Sequence, residues 1–397
     1  MRAPGLPSLP AVRAALVARA APIARAARTS RAARTSRAAL AVLLLASCGR
    51  HAPHAVGVLL PLEGALKQAG HELQSGIDLA LSELPEERRP RVLVLDEGAL
   101  AAATAGAVDA LVAQRASVIL GPLTTDGVVV ATLAGRAHGV PCVAPAATGS
   151  RLVEADVGCV RLCYGDEEAG AALARYARDT LRLERVALVI DLSSSYSLGL
   201  SEAFGHEFQR HDGLLAGRVY FHGGQPDAEG VLDAAAALEP DGALLSAYSP
   251  DVVRMVGGAR DPRVGELILL GGDAWNGAGV REALAGRVRG AYRTRHFDPG
   301  SNDPLVVEFL ERYRAANGEE PSDLAALGYD AARAVFSVFD PAASGPAMHA
   351  RLLELGGHPG VTGALTVDSR GAAVEKPVLL EQLHDASQPA IMGRIDR

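Results

Sequence analysis

The chain has 397 residues, 49% of them hydrophobic and 4% aromatic, which is enough for about two globular domains with substantial cores. Its formal net charge is −7, yet residues 1–47 hold eight arginines and no acidic residue, and the remainder holds 31 basic and 46 acidic residues, a net −15. So acidic a body excludes nucleic acid as a partner, because nucleic-acid binding needs a basic face.

Residues 1–48 are predicted to be a lipoprotein signal peptide. An Arg-rich stretch precedes the apolar run Ala38–Ser47, which is too short to span a bilayer and is typical of the hydrophobic part of a signal peptide. The run leads into LASC at 45–48, which is similar to a bacterial lipobox. Cys48 is therefore the expected site of lipidation, and residues 49–54 would be a tether. The anchor would hold the protein on the periplasmic side of a membrane, and either the inner or the outer membrane is compatible.

The first part of the mature chain is predicted to be a doubly wound α/β unit, because short apolar runs alternate with segments of helical spacing. Residues Gly64–Gly70 are predicted to form a loop. The predicted elements are strand Ala55–Leu60, helix Glu72–Glu83, strand Arg91–Leu95, helix Ala99–Gln114, a strand–helix–strand unit over Val118–Val143, and strand Cys159–Tyr164.

Two turns with hydroxyl side chains follow neighbouring strands of this unit. Thr124 and Thr125 follow the strand that ends at Leu120, and Thr148 follows the strand that ends at Val143. A right-handed crossover between parallel strands places both turns at one sheet edge, where helix N-termini offer free N–H groups. The pattern predicts a cradle for a small anionic group such as a carboxylate. The alternative for either threonine of the first turn is a simple N-cap.

The alternation restarts after the turn that contains Tyr164, which predicts a second α/β lobe and a cleft between the two lobes. No catalytic motif or metal-ligand spacing occurs in the sequence. The protein is therefore not expected to be an enzyme or to bind a metal or a cofactor. Among the cysteines, Cys159 and Cys163 share one strand and cannot pair, whereas pairing of Cys142 with either is left open. The predicted elements are helix Glu167–Leu181, strand Val186–Ile190, helix Leu198–His211, strand Val219–Phe221, helix Ala228–Leu238, strand Gly242–Ser246, helix Pro250–Arg260 and strand Leu267–Leu270.

From Val56 onward the chain resembles the type I periplasmic solute-binding proteins, in particular the Leu/Ile/Val-binding branch of ABC-importer receptors. The resemblance covers nearly the whole mature chain, with the motifs in the family's order. They include GVLLPLEG, ILGPLTTD, GVPCVAPAATG, VALVIDLSSSYSLGL, AYSPDVVRMVGGARD and LLGGDAWN.

This resemblance implies two Rossmann-like lobes joined by a three-stranded hinge. One lobe would comprise residues 55–164 and 298–360, and the other residues 165–297 and 361–397. The protein would bind an amino acid or a related small amide by lobe closure, and the permease subunits of an ABC transporter would be its partners in amino acid transport. The alternative is a lipoprotein of the same fold that acts as a sensor or an interaction module, such as an activator of peptidoglycan synthases.

The resemblance also assigns a ligand site, residue by residue. The ligand carboxylate would meet a hydroxyl in the first turn and the Ala-Thr turn one strand later. The ligand ammonium would meet an acidic side chain after a strand of the second lobe, and aromatic residues would line the cleft. The residues expected to bind ligand are Thr124, Thr125, Ala147, Thr148, Tyr164, Tyr196, Tyr248, Asp273 and Trp275.

Overall fold

The structure is a computed structural model, and it describes residues 53–153, 158–225, 228–277, 279–383 and 390–395. The predicted signal peptide, with Cys48, and most of the tether lie outside these described residues. None of the described helices is long and apolar enough to cross a membrane.

The described residues form fourteen strands and eleven α-helices. The strands are β1 (Ala55–Leu60), β2 (Val92–Asp96), β3 (Ala116–Leu120), β4 (Cys142–Ala144), β5 (Cys159–Arg161), β6 (Arg185–Asp191), β7 (Leu214–Phe221), β8 (Gly242–Ser246), β9 (Ile268–Gly271), β10 (Gly290–Arg295), β11 (Thr366–Val367), β12 (Ala373–Val374), β13 (Val378–Gln382) and β14 (Ala390–Ile395). The helices are α1 (Lys67–Ser82), α2 (Ala101–Ala113), α3 (Thr125–Ala137), α4 (Asp166–Arg175), α5 (Ser195–Arg210), α6 (Val231–Ala236), α7 (Ser249–Gly258), α8 (Val280–Leu284), α9 (Pro304–Asn317), α10 (Asp323–Val338) and α11 (Gly345–Leu353).

The first sheet is parallel throughout, with strand order β2-β1-β3-β4-β5. All residues of β1 are buried, as the unbroken apolar sequence of a central parallel strand requires. Strands β3 and β4 are neighbours, so the two hydroxyl-bearing turns that follow them lie at the same edge. Cys142 of β4 lies opposite Cys159 of β5, and the three cysteines among the described residues are free thiols.

The second sheet has the order β14-β13-β10-β9-β8-β6-β7. Its strands from β10 to β7 run parallel, and β13 and β14 add an antiparallel edge. Two such sheets with helices between their strands confirm the predicted architecture of two doubly wound α/β lobes.

Helix α1 begins at Lys67, inside the stretch that the sequence predicted to be a loop. The glycines of that stretch suggested a turn. Gly70, however, is a buried helical residue, and a Cβ atom there would lie 2.0 Å from the carbonyl oxygen of Pro61. Close packing of the helix against β1 and its turn therefore explains this glycine, because tertiary contacts override the low helix propensity of glycine.

The chain passes between the two lobes three times. It leaves the first lobe after β5, returns after β10 to pack helices α9 to α11 in the same core as β1, and enters the second sheet again at β13. Val361, Leu365 and Val367 pack in the same core as helices α9 to α11 and strand β1. We therefore propose that the third passage falls between β12 and β13 rather than at residue 361; the other lobe limits stay a prediction.

A buried ion-pair network lies at these passages. Arg295 of β10 donates to Asp323 at the start of α10 over 2.6 Å, and Arg293 donates to Glu381 of β13 over 2.6 Å. All four side chains are nearly inaccessible to water. Each charge is compensated by a neighbour of opposite sign, which is the condition under which buried ions are tolerated.

Candidate ligand-binding cleft

A cavity of about 310 Å³ is lined by residues that follow strands of both sheets. This volume is at the lower end of the range for small-molecule sites and would hold roughly ten water molecules. The lining includes Leu123, Thr125, Ala146, Ala147 and Thr148 after strands of the first sheet, Tyr196, Tyr248, Ser249, Asp273, Ala274 and Asn276 after strands of the second, and Ala65, Leu66, Gln68, Ala69 and Glu72 of α1 or the turn before it.

The first-lobe side of the cavity carries two hydroxyl residues beside the N-terminus of α3. Thr125 is the first residue of that helix, and its hydroxyl accepts a hydrogen bond from the N–H of Gly149 over 3.2 Å. Arg161 fixes the second turn, because its guanidinium donates to the carbonyl oxygens of Thr148 and Gly149 over 3.2 Å each. Hydroxyls and the positive end of a helix dipole together suit a carboxylate.

Thr124 does not line the cavity, unlike its neighbour. Its hydroxyl accepts a hydrogen bond from the N–H of Gly127 over 3.1 Å and caps α3. The N-cap alternative thus describes Thr124, while Thr125 projects into the cavity because successive residues at a helix start point in different directions.

On the second-lobe side, Asp273 lies in the turn after β9, and its carboxylate borders the cavity. Its Oδ2 atom is 3.3 Å from Nε2 of the buried His296. Tyr164 stacks on that histidine with 3.8 Å between ring centroids. His296 therefore contacts one oxygen of the Asp273 carboxylate on the side away from the cavity. The carboxylate can still accept hydrogen bonds from the cavity side, which suits a cationic group of a ligand.

Two tyrosines form a wall of the cavity. The rings of Tyr196 and Tyr248 lie 5.5 Å apart between centroids. Burial raises the pKa of the Tyr196 phenol well above its ordinary value of 10.0, and the nearby charges of Asp273 and Asp166 raise it further. Both phenols stay neutral at physiological pH, so the wall offers apolar area with hydroxyl groups and no charge.

Two of the predicted aromatic residues do not line the cavity. Tyr164 lies behind Asp273, stacked on His296. Trp275 points into the core of the second lobe, where its indole N–H donates to the carbonyl oxygen of Leu245 over 3.1 Å. The position of Trp275 in a strand-end turn suggested that it lines the cleft. Burial of the large indole ring in the core is more favourable, because the carbonyl oxygen of Leu245 accepts a hydrogen bond from its N–H there.

Asp166 is a buried acid behind the cavity. It is the first residue of α4 and 1% exposed, and neither carboxylate oxygen has a hydrogen-bond partner of good geometry among the described residues. Burial raises its pKa to about 8, and the charge of Asp273 acts in the same direction, although the nearby Thr148 hydroxyl opposes the shift. The side chain is consequently a neutral acid at pH 7.

The face of α1 that lines the cavity was missed in the sequence. Leu66, Ala69 and Glu72 recur at a spacing of three residues, which places them on one side of a helix. The spacing was visible in the sequence, but residues Gly64–Gly70 were predicted to form a loop, so the first turn of α1 was not recognised as helical.

The two lobes also meet directly beside the cavity. Asp126 of α3 accepts hydrogen bonds from the hydroxyl and the backbone N–H of Ser195, over 2.5 and 3.1 Å. Ser195 is the first residue of α5, so a carboxylate of one lobe caps a helix of the other. Neither residue lines the cavity. Within the described residues no group of three or more His, Cys, Asp or Glu side chains is placed to hold a metal ion.

Two lobes with a cavity between their strand ends define a class of bilobal solute-binding proteins, and the comparisons agree with it. The family model described as periplasmic binding protein matches residues 53–387. The Leu/Ile/Val-binding protein BraC3 of Rhizobium johnstonii is 24% identical over 160 residues, which cover 39% of this chain and 43% of that protein. The match thus spans less than half of that relative.

Solved structures are similar over nearly the whole described chain. The leucine-binding protein LivK of Thermotoga maritima has a TM-score of 0.79 and 26% identity, with 86% of this chain and 99% of that one covered. The branched-chain amino acid transporter substrate-binding protein LivJ of Streptococcus pneumoniae, in complex with isoleucine, has a TM-score of 0.75 and 22% identity, with 87% of this chain and 100% of that one covered.

The chain belongs to the periplasmic binding protein family. That membership implies a place outside the cytoplasm, and it confirms the family to which the sequence motifs pointed.

Proposed function

We propose that the protein is the amino-acid-binding receptor of an ABC importer. The observation that carries this proposal is a single cavity with complementary groups on opposite lobes. Thr125 and Thr148, with the N-terminus of α3, would bind the ligand's α-carboxylate. Asp273 of the second lobe would bind its α-ammonium group.

Lobe closure would couple ligand binding to recognition by the importer. A ligand that contacts both lobes stabilises the closed arrangement relative to the open one by the difference in its affinity for the two. The hydrogen bonds between Asp126 and Ser195 add a contact that exists only when the lobes are together. No chemical step is involved, and the closed form would be the one that the permease subunits bind.

The remaining parts of the proposal concern the membrane. Cys48 would be lipidated and would become the N-terminus once residues 1–47 are removed, and the tether would hold the two lobes beside the permease. Replacement of Cys48 by alanine is expected to release the protein from the membrane fraction, and a membrane-bound Cys48→Ala variant would contradict this assignment.

The proposal is tested by measuring the binding of each of the twenty amino acids to the purified protein with thermal unfolding and calorimetry. A true ligand at 100 times its Kd should stabilise the protein by roughly 2.7 kcal/mol. Asp273→Asn should weaken binding by about ten- to a hundredfold, because it removes a charged hydrogen-bond acceptor for the ammonium group. Asp109→Asn is the matched control, since Asp109 is exposed, pairs with His138, and neither residue of this pair lines the cavity.

Each outcome bears on the proposal. Binding that Asp273→Asn weakens and Asp109→Asn leaves unchanged supports the site. Undiminished binding by Asp273→Asn would refute the assignment of that residue. No binding of any amino acid would overturn the receptor function and favour the interaction-module hypothesis.

A further inference from the structure

Helix α1 gives the cavity a second carboxylate. Leu66, Ala69 and Glu72 line it from one helix face, together with the exposed Gln68. The side chains of Ala65 and Ala69 are small, so the cavity extends along the helix as far as Glu72. A neighbouring cavity shares Gln68 and Glu72, so the space continues past the carboxylate toward solvent.

Glu72 has few partners of its own. The amide of Gln68 donates to its Oε1 atom over 3.1 Å, and no ion pair to Glu72 occurs in the described part of the chain. Burial raises the pKa of the Glu72 carboxyl, the hydroxyl of Ser322 lowers it, and the negative charges of Glu319 and Asp323 raise it again. A half-buried carboxylate whose donors are the neutral groups of Gln68 and Ser322 retains acceptor capacity for a ligand.

The charged side chains that line the cavity all have one sign. Asp273 and Glu72 line it, and no lysine, arginine or histidine does so among the described residues. Lys67 and His71 border only the neighbouring cavity and are exposed, so water and salt screen them. An α-amino acid with an uncharged side chain would leave one of the two carboxylates without a cation.

We propose that the protein prefers α-amino acids whose side chain ends in a positive charge, and that Glu72 binds this charge. The inference rests on the proposed function, because Thr125, Thr148 and Asp273 would hold the α-groups and direct the side chain toward α1. Leu66, Leu123 and Leu324 would pack against its methylene groups. An aliphatic side chain would instead press carbon against the Glu72 carboxylate and remove water from it without a compensating hydrogen bond.

Calorimetric titration of the purified protein with lysine, ornithine, arginine, leucine and isoleucine tests the inference. We expect at least one cationic amino acid to bind about tenfold more tightly than leucine, as one charged hydrogen bond at a half-buried site predicts. Glu72→Gln should reduce this ratio to about one by weakening the cationic ligand, with leucine affinity unchanged or improved. Glu319→Gln is the matched control, because Glu319 lies near Glu72 but lines only the neighbouring cavity, and it should preserve the ratio.

A second variant tests the geometry separately. Ala69→Leu fills the cavity next to Glu72, so it should weaken the cationic ligand more than it weakens alanine. Equal or tighter binding of leucine by the native protein, or an unchanged ratio in Glu72→Gln, would overturn the inference while the receptor function stands, provided that Asp273→Asn still weakens binding. No binding of any amino acid would instead overturn the proposed function itself.

Discussion

The contact between Asp126 and Ser195 should set the affinity for every ligand without touching any of them. Two hydrogen bonds end on the Asp126 carboxylate, one of them from a backbone N–H at the start of α5. Both residues are at least partly exposed, so each bond contributes less than a buried charged one. With the helix-terminus contribution, Asp126→Ala should destabilise the closed form by about 1 to 1.4 kcal/mol.

If the open form dominates without ligand, that loss appears in full as weaker binding. Calorimetry should show Kd increased by about five- to tenfold, because 1.4 kcal/mol corresponds to a factor of ten. The factor should be the same for all ligands, since neither Asp126 nor Ser195 lines the cavity. At the ligand concentration that half-saturates the native protein, small-angle scattering should show a larger radius of gyration for the variant than for the native protein.

Ser195→Ala removes the hydroxyl that donates to Asp126 and should also weaken binding. Ser193→Ala is its matched control. The Ser193 hydroxyl donates to Asp191 within the second lobe, so the loss of this hydroxyl should leave Kd unchanged. The reasoning fails if Asp126→Ala binds as tightly as the native protein, if the factor differs strongly between ligands, or if Ser193→Ala weakens binding equally. A double-mutant cycle of Asp126→Ala and Ser195→Ala should give effects that do not add, because the two residues share one contact.

Two further predictions concern stability. Gly76→Ala should lower the free energy of unfolding by about 2 to 3 kcal/mol, because its Cβ atom would lie 1.9 Å from the carbonyl oxygen of Ala325 in α10; Gly106→Ala in the exposed part of α2 meets nothing and should raise it by about 0.5 to 1 kcal/mol. Urea unfolding measures both, and equal effects would contradict the packing argument. Burial raises the pKa of Asp166 from 3.8 to about 8, so the folded protein holds a proton that the unfolded chain releases; this contribution is complete below pH 4 and is lost as the pH rises toward 8. Asp166→Asn should therefore gain stability relative to the native protein as pH increases from 5 to 8, and parallel pH profiles of the two proteins would refute it.

The sequence by itself determined the architecture. Unbroken apolar runs such as Ala55–Leu60 need burial on both faces, and their alternation with helical spacing leaves parallel α/β lobes as the solution. The turns after β3 and β4 could be placed at one edge because parallel strands leave no other arrangement. Thr125 and Thr148 were therefore within reach of sequence reasoning.

Only the tertiary structure decided which side chains reach the cavity. Thr124 and Thr125 differ by one step at a helix start, and Trp275 and Asp273 share one short turn, yet only one of each pair faces the cleft. The same holds for Glu72, whose role depends on small neighbours on α1 and on the lobe opposite. Local sequence sets the backbone path, but the direction of a side chain and the space before it depend on elements that are distant in the chain, and these contacts form only when both lobes are folded.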